Sequence, residues 1–152
     1  FFFQAEDGIR DDLVTEFRRV LFRSLIPMEK TYITYDQFSA LDMRMGLIRF
    51  VEPVEGADKL LRCLVDFGPD HATMEFTDEE ENVHQVRQIV SGIREYFDDP
   101  QELVGKTVLY VINLEPRTIR GVESQGMLMA VGEGKPIFVV PEEGVEPGSA
   151  IR

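Results

Sequence analysis

Two histidines, His71 and His84, flank the acidic run Asp78-Glu79-Glu80-Glu81, and imidazole beside carboxylate is a combination that can hold a divalent metal or pass a proton. The spacing argues against both uses. Metal geometry needs ligands at fixed separations on a rigid support, whereas these lie scattered through a polar stretch with few apolar residues. Elsewhere there is no glycine-rich loop ending in lysine, no CxxC pair, no HExxH and no histidine placed to serve a nucleophile. The acidic run therefore reads as a solvated tip. No metal and no cofactor are expected, and the chain reads as a binder rather than an enzyme.

Three punctuated segments carry more information: RQIVSGI (87–93), VINLEPR (111–117) and RGVESQGM (120–127). Each joins a strand-like apolar run to a polar turn where backbone can lie close to a ligand. The charge balance constrains what that ligand is. With 28 acidic and 16 basic residues the formal net charge is −12, so a polyanion would have to be held by a local cluster of cations against an unfavourable overall field. The single cysteine, Cys63, cannot form an internal disulfide and lies within LLRCLVDF, where it reads as a buried strand thiol in a reducing compartment. No hydrophobic run approaches the ~20 residues of a membrane span. A soluble, cytoplasmic protein with no membrane partner is expected.

The elements that must position these segments read as short strands. Tyr35 to Leu41 forms a short helix opened by Thr34, and Met43 to Val54 alternates as a first strand. Lys59 to Phe67 is a second, with Leu61, Cys63, Val65 and Phe67 on one face and Arg62 and Asp66 on the other. Gly68, Pro69 and Asp70 break it, and residues 71–82 read as an exposed hairpin extension or loop. Val83 to Ile93 is a third strand. Asp99 can then cap a helix that starts at Pro100, with Glu102 at the capping-box position and Gly105 ending it. Thr107 to Leu114 makes a fourth strand, with Val108, Tyr110, Ile112 and Leu114 on one face. Gly126 to Val131 and Pro136 to Val140 supply the rest. The expected architecture is all-β: a five-stranded Greek-key OB-fold barrel with one short helix before strand one and another between strands three and four.

The order and spacing of the three segments, together with DQFSALDMRMG (36–46), ADKLL (57–61) and PQELVGK (100–106), resemble the tRNA-binding domain found at the C-terminus of methionyl-tRNA synthetase and as small stand-alone proteins. The resemblance covers roughly residues 34–152, the expected domain. It implies a barrel that grips tRNA without catalysis, assists an aminoacyl-tRNA synthetase and forms a homodimer. Carried onto this chain, the RNA-binding set is Arg44, Lys59, Arg87, Ser91, Asn113, Arg117, Arg120, Ser124, Gln125 and Met127. Arginine can grip phosphate with two donors or lie flat on an unpaired base, and the amides and hydroxyls can read base edges or the 2′-hydroxyl. Arg120, followed by Gly121, is the strongest single candidate. Plainer roles stand beside these: Arg44 and Lys59 as solvent-facing strand residues, Met127 as core, Asn113, Ser91 and Ser124 as turn formers. Where the family commonly carries lysine this chain has Leu47 and Glu115, which lowers the expected affinity for phosphate. A secretion chaperone of the same fold supplies the alternative, a protein-binding module.

Residues 1–24 resemble the translation of sequencing-adapter DNA, and residues 1–27 are expected to be a non-native extension ahead of Met28. The segment also reads as an amphipathic helix, with Ile9, Leu13, Phe17, Val20 and Leu21 on one face.

Overall fold

The computed structural model describes residues 30–152; the adapter-like segment and the expected start at Met28 lie outside them. Residues 30–40 belong to a unit separate from Leu41–Arg152. Within the first, α1 (Tyr35–Ser39) has the expected opening. The Thr34 hydroxyl accepts from the Gln37 amide at 3.1 Å while the Gln37 side chain accepts from the Thr34 N–H at 2.8 Å, a reciprocal capping box.

The second unit is all-β. Its main sheet is antiparallel with order β3-β4-β2-β1-β5-β8, built from β1 (Met43–Pro53), β2 (Leu61–Asp66), β3 (Met74–Thr77), β4 (Val83–Ser91), β5 (Thr107–Val111) and β8 (Met127–Leu128). Two small hairpins complete it: β6 (Arg117–Ile119) with β7 (Val122–Ser124), and β9 (Ala130–Val131) with β10 (Ile137–Phe138). The anticipated faces hold for the second strand and for most of the fourth, which ends at Val111 and leaves Leu114 half-buried outside the core. Leu61, Cys63, Val65 and Phe67 from the second strand meet Val108, Tyr110 and Ile112 from the fourth in one core with Ile48, Val51, Ile89 and Leu103, all nearly inaccessible. A bulge between Ile48 and Phe50 shifts the register of β1 against β2, which bends the strand without losing the buried stripe.

Gly46 lets β1 lie close over Phe67 and Val65, because a Cβ there would lie 2.5 Å from their side chains. Gly148, at φ +90°, lets the C-terminal segment lie against the Phe67 carbonyl, where a Cβ would collide with backbone.

Two further differences from the expected elements have local causes. The Pro100 segment is a single 3-10 turn over Pro100–Leu103. Asp99 caps it by accepting from the Gln101 amide at 3.0 Å, and Gly105 at φ +91° ends it. The sheet is OB-like, but its ladder does not close into a barrel. Between β4 and the segment that joins β7 to β8, single bonds replace a ladder. The Gln125 N–H donates to the Gln88 carbonyl at 2.9 Å, and the Ser124 hydroxyl accepts from the Val90 N–H at 3.0 Å. Gly126 sits in this seam, where a Cβ would lie 3.0 Å from Ile89 and 3.1 Å from the Val111 carbonyl, leaving little room for a side chain.

Candidate functional site

The expected set divides by what each side chain touches. Ser124 is buried, and its hydroxyl donates to the Gly126 carbonyl at 3.1 Å while accepting from Val90; this serine fastens the seam. Ser91 is also buried, opposite Leu61 in the β2–β4 ladder. Met127 is half-buried in β8 opposite Val111. Gln125 is half-buried. Its Oε1 accepts from the Thr73 hydroxyl at 2.5 Å and its Nε2 donates to Glu123 at 2.8 Å, tying the β2–β3 connection to β7. The Asn113 Oδ1 accepts from the Asp42 N–H at 2.8 Å, fixing the end of β5 to the start of β1.

The arginines show how the net negative charge is distributed. Arg44 is ion-paired with Asp42 at 2.7 Å and donates to the Gly148 carbonyl at 2.9 Å. Arg87, on β4, donates from Nε to the His71 carbonyl at 3.0 Å and from Nη1 to the carbonyls of Ile112 at 2.7 Å and Gln125 at 3.3 Å. Partial burial lowers its pKa, and the Asp42 carboxylate works in the opposite direction. Sequence reasoning missed two further arginines. Arg49 forms a two-donor pair with Asp66, at 3.2 and 2.8 Å. Arg62 joins an outward row across β1, β2, β4 and β7: Glu52 accepts from its Nη1 at 2.7 Å, Gln88 Oε1 from its Nε at 2.6 Å, and the Gln88 amide donates onward to the Glu123 carbonyl at 2.8 Å. The β1–β2 register could have revealed Arg62, since Glu52 and Arg62 are direct cross-strand partners. Partly exposed pairs of this kind contribute roughly 0–1 kcal/mol each.

Arg117, Arg120 and Lys59 have a different setting. Lys59 and Arg120 are exposed and Arg117 half-exposed. Ile119 pairs with Val122, leaving Arg120-Gly121 as a two-residue loop with φ +52° and +81°. Positive φ at both positions marks the type I′ hairpin turn, which favours Asn-Gly. Arginine at its first position places a long cation at the tip of a short, tightly turned arm at the expense of backbone preference. Glu115 is exposed on the same arm.

The acidic stretch is ordered by its own contacts. β3 and β4 form a hairpin with Phe76 opposite His84. Asp78 accepts from the Glu80 and Asn82 amides at 2.9 Å each, and its Oδ2 lies 2.8 Å from His84 Nε2. The His84 contact and the Asn82 amide hold the Asp78 carboxyl well below the usual carboxylate range. Phe76 packs on Phe50 of β1, with ring centroids 5.0 Å apart. The hairpin thus leans on β1, and Asp78, Glu80, Asn82 and His84 line one depression with Leu47, Arg49, Val104 and Gly105. The acidic tip and Leu47 thus share one surface. Among the described residues, no group of three or more His, Cys, Asp or Glu side chains is arranged to hold a metal, and no helix is long and apolar enough to cross a membrane.

Comparison with known proteins matches residues 43–150 to the family described as "Putative tRNA binding domain". The chain is 42% identical over 125 residues to a methionine–tRNA ligase of Methanothrix thermoacetophila, covering 82% of this chain and 16% of the ligase, so it spans about one sixth of that relative's length. Among solved structures it superposes on a MetRS-related protein from Pyrococcus horikoshii with TM-score 0.63 and 30% identity, over 81% of this chain and all of that one. A CsaA chaperone protein from Picrophilus torridus superposes with TM-score 0.63 and 26% identity, over 80% of this chain and all of that one.

Proposed function

This chain belongs to the tRNA-binding domain family, and on that premise we propose that it is a non-catalytic grip on tRNA that assists an aminoacyl-tRNA synthetase of the methionyl type. The observation that carries the reading is the β6–β7 arm, which lies within the matched region and presents Arg120 at a hairpin tip whose backbone favours a different residue. Arg120 and Arg117 on the arm, with Lys59 on the β1–β2 connection, engage phosphate or unpaired bases. Gln125 and Asn113 contribute neutral groups near the arm's base. Arg44, Arg87, Ser91, Ser124 and Met127 shape the surface from beneath. A grip of this kind acts by raising the effective concentration of tRNA near a catalytic partner, whether that partner is a separate chain or another part of the same one. Cytoplasmic residence and a homodimer presenting two such grooves complete the proposal.

A second reading has its own support. Arg44, Arg49 and Arg62 are each paired with a carboxylate, the formal charge is −12, and the likeness to a chaperone protein equals that to the MetRS-related protein in TM-score. A surface so neutralised suits a polypeptide client. Competition separates the two: the protein is titrated with labelled total tRNA in the presence of a reduced, unfolded polypeptide. The tRNA reading predicts saturable tRNA binding that the polypeptide does not displace. Saturable polypeptide binding with no retained tRNA would establish the chaperone reading instead.

A further inference from the structure

We propose that Arg87 is a positioning residue that sets the base of the RNA-gripping arm, and that it acts without contacting phosphate. The two carbonyls that share its Nη1, those of Ile112 and Gln125, stand immediately before the arm's first residue and at its last. Between them run residues 113–125, which carry Arg117, Arg120 and the β6–β7 turn. Its Nε holds the His71 carbonyl in the β2–β3 connection, so one planar group joins three segments distant in sequence. Arg87 itself is fixed on β4 opposite Val65, a fully buried residue in the middle of the sheet. The arm is also tied by the Gln125 N–H to the Gln88 carbonyl, the Gln88 amide to the Glu123 carbonyl, the Thr73 hydroxyl to Gln125 Oε1, the Ser124 hydroxyl to the Val90 N–H, and Asn113 to the Asp42 N–H.

The chemistry requires this residue type. A guanidinium offers five donors in a rigid plane and can serve carbonyls on two of its edges at once. An ammonium is a compact point donor on a flexible stem and cannot span the same three acceptors. Partial burial disfavours the charged state of this side chain, as expected for a group drawn in among carbonyls rather than presented to solvent.

The inference rests on the tRNA reading, and the test keeps the two separable. Arg87→Lys retains the charge and Arg87→Met removes it; each is compared with the parent by amide exchange without RNA, by thermal melting, and by tRNA titration at several salt concentrations. The positioning role predicts that Arg87→Lys raises exchange in residues 113–125 at least about fivefold while exchange in β1 and β2 is unchanged. Apparent tRNA affinity should fall roughly fivefold as the competent arm becomes the minority arrangement. The salt slope should stay that of the parent, because no phosphate contact is lost. If Arg87→Met does not fold, Arg87→Lys still decides, since a phosphate-contacting cation would be replaced by lysine with near-parental affinity. Near-parental exchange and affinity in Arg87→Lys, or a salt slope shallower by ~0.7 to 0.9 in Arg87→Met, overturns the proposal. A parent that retains no tRNA contradicts the functional reading, and amide exchange then judges the positioning role alone.

Discussion

Replacing Arg120 with asparagine should raise stability and weaken tRNA binding in the same molecule. Arg120 sits at φ +52° in the first position of a two-residue hairpin turn, where an L-residue other than glycine or asparagine is disfavoured by roughly 1 kcal/mol. Asparagine keeps a Cβ, so the unfolded chain gains little of the freedom that glycine would add, and most of the relief should appear as stability. The expected gain is ~0.5–1 kcal/mol, a rise of about 2–5 °C in Tm for a domain of this size. Binding should move the other way. One lost phosphate contact removes ~0.7 of a logarithmic unit in affinity per tenfold change in salt, which is roughly fourfold at 0.15 M relative to 1 M. Differential scanning fluorimetry and filter binding at four salt concentrations read both quantities. A Tm that falls by several degrees would refute the assignment of the turn. A variant that melts higher yet binds tRNA with the parental slope would show that the arginine occupies its unfavoured position for some purpose other than RNA.

Three further outcomes follow from the same surfaces. Glu115→Lys restores a cation on the exposed arm and should tighten tRNA binding, with the salt dependence steepening by roughly 0.7 to 0.9 of a logarithmic unit; an unchanged titration would place residue 115 away from the RNA. Cys63 is buried and its thiol is pushed up to about 12 by desolvation, so it should resist alkylation at pH 8 until the protein unfolds; rapid labelling of the native state would contradict that burial. Asp78 is held below its ordinary range by His84 and the Asn82 and Glu80 amides. Its contribution is therefore fully present above the unfolded carboxylate value of ~3.9 and is lost as pH falls through the folded one, so amide protection at 79–84 should decline on that acid limb and Asp78→Asn should abolish the decline. Equal acid dependence in parent and variant would refute it.

The parts of the fold legible in the sequence are those where one face is dry. Leu61, Cys63, Val65 and Phe67 alternate because a single core lies beneath them, and the same holds for Val108, Tyr110 and Ile112. β3 was legible only as an extension, since Met74 and Phe76 alternate within an acidic, mostly exposed stretch and owe their order to pairing with β4 and to the Phe50 contact. The β6–β7 hairpin was harder still. Its strands are three residues long, and its turn carries Arg-Gly where Asn-Gly would have announced it. For the candidate site, the resemblance named side chains but could not say which face solvent. Burial of Ser91 and Ser124, and the three carbonyls around Arg87, arise from long-range packing that no local pattern encodes.

The claim that this chain grips tRNA through a few surface cations, those of the β6–β7 arm among them, is tested most directly by the salt dependence of binding in the unaltered protein. Plotted logarithmically, the association constant for total tRNA should fall linearly with salt, with a slope of about −1.5 to −2.5, the value for two or three phosphate contacts. Saturable binding with a slope near zero, or no tRNA retained even at the lowest salt, would contradict it.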